Sequence, residues 1–120
     1  MGEFKYFKIE EFDCQETGDN EMDVSFVHRL DQLRENCGFP FSITSGFRSK
    51  EHSIEKRKAK PGTHTKGIAA DIYHSDGVKM RKIVEEALKM GFTGIGIHAT
   101  FIHVDDRVLW SFEKRVMWPY

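Results

Sequence analysis

The most informative segment of the sequence is Gly62-Thr-His64-Thr-Lys-Gly67-Ile-Ala-Ala-Asp71-Ile-Tyr73. Its second half, residues 67–73, is a compact apolar run between polar segments, which is typical of a buried strand. Asp71 stands inside this run, where an ionised carboxylate is costly unless it is paired or binds a cation. His64 precedes the run on a loop. The stretch therefore predicts a buried strand that carries a polar site.

Two amphipathic helices are predicted on either side of this stretch. The first spans residues 22–36, because apolar side chains recur there at helical spacing, with Asp23 as N-cap and Gly38 beyond the end. The second begins after Ser75 or Asp76. Its apolar face and closing glycine are Met80, Ile83, Val84, Ala87, Leu88 and Gly91.

Short strands make up the rest of the predicted fold. The residue pattern favours strands over 41–45, 93–97 and 101–105, and a final hairpin over the aromatic-rich residues 108–120. The highly charged segment 48–61 is predicted to be a loop with a short helical piece. The predicted class is α+β, with helices covering a small, mostly antiparallel sheet.

The composition is that of one globular domain, which we expect to span residues 1–120 as a monomer. Ten phenylalanines and 12% aromatic residues exclude an intrinsically disordered chain. Lys and Arg number 18 against 19 Asp and Glu, and this balance excludes a protein that holds nucleic acid by neutralising phosphates. Cys14 and Cys37 form no CxxC pair, so we expect two buried thiols rather than a disulfide framework or a thiolate zinc ribbon.

No targeting or membrane-spanning segment is recognisable in the sequence. Residues 1–8 contain no apolar h-region, and no stretch approaches the ~18 apolar residues of a membrane span. We therefore expect synthesis in the cytoplasm without a signal peptide, and no membrane insertion.

A glycine motif at residues 94–99 formally matches a dinucleotide-binding fingerprint. That fingerprint needs a strand before it and a helix after it, whereas here a helix precedes it and a strand-like run follows. No nucleotide site is expected. Gly94 and Gly96 are instead expected to let the backbone pack closely beside a neighbouring element.

Three residues are candidates for a metal site: His64, Asp71 and His103. Two imidazoles and one carboxylate suit zinc and leave a fourth position for water, which is typical of a catalytic site. Taken singly, each histidine is more often a surface residue or a hydrogen-bonded core residue, but the three together favour a metal. The histidines without a partner at ligand spacing are predicted to be surface residues, namely His28, His52 and His74.

Five motifs spread over nearly the whole chain carry a family resemblance. They are Phe7-Lys-Ile-Glu-Glu-Phe-Asp-Cys14, Ser45-Gly-Phe-Arg48-Ser, Gly62-Thr-His64-Thr-Lys-Gly67-Ile-Ala-Ala-Asp71-Ile, Gly94-Ile-Gly96, and Phe101-Ile-His103-Val-Asp105-Asp-Arg107. In these motifs the sequence resembles the zinc D-Ala-D-Ala carboxypeptidase family of metallopeptidases, in the small single-domain form of phage endolysins. The resemblance implies the hedgehog/DD-peptidase fold and a zinc ion on His64, Asp71 and His103.

The same resemblance implies that Arg48 points into the active site. A guanidinium there can bind a substrate carboxylate bidentately or stabilise the negative charge that develops on the scissile carbonyl oxygen. The alternative is a solvated arginine in a charged loop. Ser45 can add a hydrogen bond, although a turn residue is its more ordinary role.

The general base departs from the family pattern. Many relatives carry Glu or Asp three residues before the last histidine, and Thr100 occupies that position here. Asp105 is the best substitute on geometry, because two residues after His103 on a strand it points to the same face. His98 is the second candidate. Asp105 can alternatively fix an imidazole as a neighbour of a metal ligand, or be purely structural.

The function implied by the resemblance is zinc-dependent hydrolysis of a peptide bond in the peptidoglycan stem, either D-Ala-D-Ala or L-Ala-D-Glu. By analogy with phage endolysins, the expected partner is the stem peptide and the expected site of action is the bacterial cell wall. Two alternatives are a catalytically inactive zinc-binding module of the same fold, which Thr100 favours, and a structural protein without metal. The aromatic residues near the end are expected to pack in the core or at a sheet edge rather than to line a glycopeptide groove: Trp110, Phe112, Trp118 and Tyr120.

Overall fold

The computed structural model describes residues 4–58, 62–110 and 115–120. Five strands form one sheet, namely β1 (Ile43–Ser45), β2 (Ala69–Tyr73), β3 (Gly94–Ile97), β4 (Phe101–Asp105) and β5 (Val116–Pro119). Three α-helices accompany them, α1 (Val24–Cys37), α2 (Ser53–Lys56) and α3 (Gly77–Met90). The predicted α+β class is confirmed, and α2 is the short helical piece predicted within the charged segment.

The strands lie in the order β1-β2-β4-β3-β5, and every neighbouring pair is antiparallel except β3 with β5. The predicted final hairpin is wrong, since Arg107–Trp110 form a 3-10 turn and β5 pairs in parallel with β3. The reason is topological. Because β4 ends beside the start of β3, a strand added at the other edge of β3 runs in the same direction as β3. Phe112 and the side chain of Trp110 lie outside the described part of the chain.

Both long helices begin and end at the predicted signals. Asp23 and Asp76 each accept a hydrogen bond from a first-turn backbone amide. Gly38 and Gly91 follow the two helices in the left-handed backbone conformation, at φ 79° and 82°, which glycine adopts without steric cost. The predicted apolar face of α3 is wrong at Leu88, which is 54% exposed because it lies to the side of the stripe through Ile83, Ala87 and Met90 that packs on the core.

Alternation along the strands gives the sheet an apolar face and a polar face. The apolar face joins the helices in one core cluster, to which the sheet contributes Ala70, Ile72, Ile95, Ile102 and Val104. On the polar face, Asp71, His103, Gly96 and Trp118 lie side by side across β2, β4, β3 and β5. The fold thus places its reactive side chains opposite the hydrophobic core.

Both cysteines are free and buried, as predicted. The Cys14 sulfur accepts a hydrogen bond from the Ser49 amide, and the Cys37 thiol donates one to the Lys82 carbonyl. Within the described ranges, no helix has the length and apolar character that crossing a membrane requires.

Candidate metal centre

Local structure brings the three predicted ligands together. Asp71 and His103 are direct partners in the β2–β4 pairing. His64 lies in the 3-10 turn Thr63–Lys66, which leads into β2 through Gly67 at φ 72°. A Cβ atom at Gly67 would lie 2.2 Å from a neighbouring backbone oxygen, so this sharp entry into the strand requires glycine.

One carboxylate oxygen lies between the two imidazoles. Asp71 Oδ1 is 3.3 Å from His64 Nε2 and 3.0 Å from His103 Nδ1. The three side chains are buried, and the ligand atoms that they offer all lie within 4.8 Å of one another. This is the spacing that a single bound ion needs.

The outer nitrogen of each imidazole is held by an acceptor. His64 Nδ1 lies 2.7 Å from the Gly46 carbonyl oxygen, and His103 Nε2 lies 2.6 Å from Asp105 Oδ2. Since a carbonyl or carboxylate oxygen can only accept, these outer nitrogens carry the hydrogen. Each neutral ring then directs its remaining lone pair at Asp71 Oδ1. Three converging lone pairs repel one another unless a cation or protons lie among them, so the donor set fits a zinc ion.

Burial and hydrogen bonds shift the pKa values of the three side chains in different directions. Burial alone would raise the pKa of Asp71, but hydrogen bonds from His103 and His64 hold it well below its usual range. Burial lowers the pKa of His64, which favours the neutral imidazole that a metal requires. Burial also acts against a charged His103, yet its hydrogen bonds to Asp105 and Asp71 raise the pKa of that ring.

Asp105 lies behind His103 rather than on the side of the other ligands. Its side chain is fully buried and accepts hydrogen bonds from His103, from the Arg107 guanidinium and backbone amide, and from the Thr63 hydroxyl. Burial opposes its ionisation, but His103 and Arg107 lower its pKa to about 2. Gly94 leaves the space for this carboxylate, since a Cβ there would lie 2.2 Å from it. Of the three roles considered for Asp105, this geometry supports the one that fixes the imidazole.

A cavity of about 420 Å³ opens beside the three ligand candidates. Its polar lining includes Arg48, Lys58, Thr63 and Arg107, and its aromatic lining includes Phe101, Trp118 and Tyr120. Among the described lining residues, Asp71 is the only carboxylate. The cavity therefore combines a metal-binding end with cationic and aromatic walls.

Arg48 lies at the cavity, as the resemblance implies. Its Nη2 is 3.8 Å from Asp71 Oδ2, and its Nε donates to the Ser45 hydroxyl at 3.1 Å. Its own backbone amide donates to the His64 carbonyl. Arg48 is thus tied to the turn that carries a ligand candidate as well as to Asp71.

His98 lies outside the described lining of the cavity. Its ring stacks on Phe101 at a centroid distance of 4.4 Å and meets Tyr120 edge-on, while its Nδ1 accepts a hydrogen bond from the Thr100 amide. His98 is therefore separated from the cavity by the two aromatic rings that do line it.

Two of the histidines predicted at the surface are buried. His52 is 8% exposed because it caps α2 and pairs with Glu16, and His74 is 6% exposed with Nε2 at 3.1 Å from the His98 carbonyl. His28 is exposed, as predicted. The spacing of these three histidines along the sequence argues against a shared metal site, but it does not reveal the hydrogen-bond partners that bury two of them.

The aromatic end of the chain departs from the expected core or edge packing. Trp118 lies over Gly96 with its ring centroid 5.1 Å from that of His103, and Tyr120 follows on the same face. Gly96 permits this approach, since a Cβ there would lie 2.7 Å from the indole ring. The predicted close packing at Gly94 and Gly96 is thus confirmed. The groups packed there are the Asp105 carboxylate and the Trp118 indole ring.

Sequence reasoning missed three charged residues at the site: Glu55, Lys58 and Arg107. Glu55 and Lys58 belong to the charged segment 48–61, in which several Glu and Lys residues look alike. Only the fold singles out Glu55, whose side chain is fully buried against Arg48. The one sequence signal for Arg107 was its place as the final residue of the last motif.

The chain matches a family model described as Peptidase M15 over residues 5–105. The matched range contains the whole cluster of ligand candidates together with Arg48 and Asp105. Comparison with curated protein sequences gave no match.

Proposed function

Because the chain belongs to the peptidase M15 family, a family of metallopeptidases, we propose that it uses zinc to hydrolyse a peptide bond of bacterial peptidoglycan. The observation that carries this proposal is the convergence of His64 Nε2 and His103 Nδ1 on one oxygen of Asp71. A zinc ion bound there would supply an acidified water and polarise the scissile carbonyl.

The chain's own residues prepare this centre. The Gly46 carbonyl and the Asp105 carboxylate hold the hydrogens of the two imidazoles on their outer nitrogens, so that the inner nitrogens are ready to bind metal. We assign Asp105 this orienting role rather than that of general base. Burial beside Thr63 and Arg107 keeps its carboxylate away from the substrate.

The cavity walls support recognition of an acidic peptide. Arg48 and Lys58 present cations toward the cavity, and either can bind a substrate carboxylate, while Arg48 can also stabilise the developing oxyanion. Burial raises the pKa of Tyr120, so its phenol stays protonated and can donate a hydrogen bond to the substrate. Both D-Ala-D-Ala and L-Ala-D-Glu bonds lie next to carboxylate groups, and both remain part of the proposal.

We further propose that the chain acts as a phage endolysin type of hydrolase in the cell wall, with the stem peptide as its partner. The test is incubation of zinc-loaded protein with purified peptidoglycan, followed by release of free amino groups and the masses of the products. Release that stops with a chelator supports the proposal, and the product masses identify the bond. A folded, zinc-loaded protein that releases nothing would contradict it.

A second candidate is a zinc-binding module of the same fold without catalysis. Thr100 stands where relatives carry an acidic residue, and among the described residues that line the cavity Asp71 is the only carboxylate. Zinc binding without release from any peptidoglycan would favour this second function.

A further inference from the structure

Glu55 is a buried carboxylate beside the metal centre that is not one of its ligand candidates. It lies in α2 and is 3% exposed. Its Oε2 accepts hydrogen bonds from Arg48 Nη1 at 3.2 Å and from Lys58 Nζ at 3.1 Å, and its Oε1 accepts one from the Gly62 amide at 2.9 Å. One side chain therefore joins three segments of the site.

The Arg48 guanidinium is held on three sides. Glu55 holds Nη1, Ser45 holds Nε, and Nη2 faces Asp71 Oδ2 at 3.8 Å. Among the described residues Glu55 is the closest carboxylate to Arg48, and its side chain is fully buried, so the pair is little screened by solvent. Without Glu55, Arg48 would be drawn more strongly toward Asp71, which is the carboxylate that the metal needs.

Glu55 also contacts the start of the turn that carries His64. Gly62 immediately precedes the turn Thr63–Lys66, and its amide is satisfied by Glu55 Oε1. Burial alone would raise the pKa of Glu55, but hydrogen bonds from Gly62, Lys58 and Arg48 lower it, so the carboxylate stays ionised. A carboxylate whose ionised form is held by three donors accepts a proton poorly, so Glu55 is not suited to be a general base.

We propose that Glu55 is a positioning residue, which fixes the Arg48 guanidinium at the edge of the metal centre and keeps it from pairing fully with Asp71. This role rests on the proposed function, because it is Arg48 that would contact the substrate. The other glutamate of the charged segment 48–61, Glu51, is exposed and has no such role.

The experiment is a double-mutant cycle on kcat/KM for peptidoglycan hydrolysis, with E55Q, R48A and both together. Gln keeps an oxygen for the Gly62 amide but removes the charge that holds Arg48. We expect E55Q to lower kcat/KM about 10- to 100-fold, as loss of a supporting partner does in such sites. If R48A acts mainly on kcat, E55Q should also act mainly on kcat, and the same holds for KM. In the R48A background, E55Q should have little further effect. The matched control E51Q, at an exposed glutamate in the same segment, should leave activity unchanged.

Several outcomes would overturn the positioning role. They are an E55Q loss no larger than that of E51Q, an undiminished E55Q loss in the R48A background, or a fall in zinc affinity that accounts for the loss. If E55Q does not fold, side-chain NMR of the wild-type protein decides the question. Protection of the Arg48 Nη1 hydrogens, for which Glu55 is the acceptor, from solvent exchange relative to the Nη hydrogens of exposed Arg81 supports the role, and equal exchange contradicts it.

Failure of the proposed function is distinguishable from failure of this inference. If the wild-type protein hydrolyses no peptidoglycan, the same cycle is measured on binding of N-acetyl-D-alanine, a simple carboxylate probe, to the zinc-loaded protein. Weaker binding in E55Q that disappears in the R48A background supports the positioning role even then. Equal binding by wild type and E55Q contradicts it.

Discussion

Asp71 is the residue on which the site depends. It stands in the middle of a buried strand, and its Oδ1 faces an imidazole nitrogen on each side. Interactions with two histidines and Arg48 offset the free energy that burial of this charge costs. The outer partners of the histidines decide which nitrogens remain able to bind a metal.

Replacement of Asp105 tests its assignment as the residue that orients His103. In D105A the hydrogen bond to His103 Nε2 is lost, so zinc affinity should fall about 10- to 100-fold, whereas D105N keeps an acceptor and should lose less. Competition with a chromogenic chelator measures both affinities, and D19A, at an exposed aspartate, is the control. Unchanged zinc affinity together with lost hydrolysis would instead identify Asp105 as the general base.

Cys37 gives a prediction of pH dependence away from the metal. Burial raises the pKa of its thiol from 9.0 to about 11. The unfolded chain releases this proton first, so the contribution of Cys37 to stability is complete below pH 9 and is lost as the pH rises through about 11. The free energy of unfolding of the wild type should therefore fall by about 1–2 kcal/mol more than that of C37A over this range. Urea titrations at pH 8 and 11 measure the difference, and parallel pH curves would refute it.

At the scale of elements, β3 contributes to the site because two of its residues are glycines without a side chain. Two of its residues, Gly94 and Gly96, face the polar side of the sheet, where neighbouring strands place Asp105 and Trp118. A strand with side chains at these positions could pair equally well but would fill the space that the site occupies.

The substitution G94A tests this use of β3. The new Cβ would lie 2.2 Å from Asp105 Oδ1, so the carboxylate must move away from His103. We expect a loss of about 1–3 kcal/mol of stability and weaker zinc binding. Chemical denaturation and zinc titration measure the two effects. G77A is the matched control, since a Cβ at Gly77 meets nothing within 4 Å; an equal effect of both substitutions would contradict the account.

The elements differ in how far the sequence could predict them. Both long helices were predictable because their signals are local, namely the caps Asp23 and Asp76 and the glycines that follow. β5 was not, since its parallel partner β3 lies about twenty residues away in sequence and the choice of edge depends on the whole sheet. Strand pairing of this kind is set by tertiary contacts more than by propensity.

The sequence likewise indicated part of the site and not the rest. Asp71 and His103 stand out because each interrupts an apolar run, and His64 because it precedes the first of these runs at a ligand spacing. Glu55 and the orienting role of Asp105 could not be derived, because burial and hydrogen-bond partners depend on packing between distant segments.

At the scale of the whole molecule, the sheet separates stability from chemistry. One face joins α1 and α3 in the core, and the other carries the ligand candidates and the cavity. Burying two histidines and a carboxylate costs free energy of solvation. A bound metal ion offsets part of this cost, so metal binding should stabilise the folded state.

Zinc should therefore raise the stability of the whole fold. At a free zinc concentration of 100 times the dissociation constant, linkage predicts about 2.7 kcal/mol of added stability. Thermal unfolding with and without zinc measures this change in the wild-type protein. The variant H64A removes one ligand and should show little or no stabilisation, whereas a shift of equal size in H64A would place the zinc elsewhere.

The most direct test of the central claim is a titration of metal-free protein with zinc, in which the release of amino groups from purified peptidoglycan is followed at each addition. We expect release to rise with zinc and to level off at about one equivalent per chain, as a single three-ligand site requires. Release that is independent of zinc, or no release from the fully zinc-loaded protein, would contradict it.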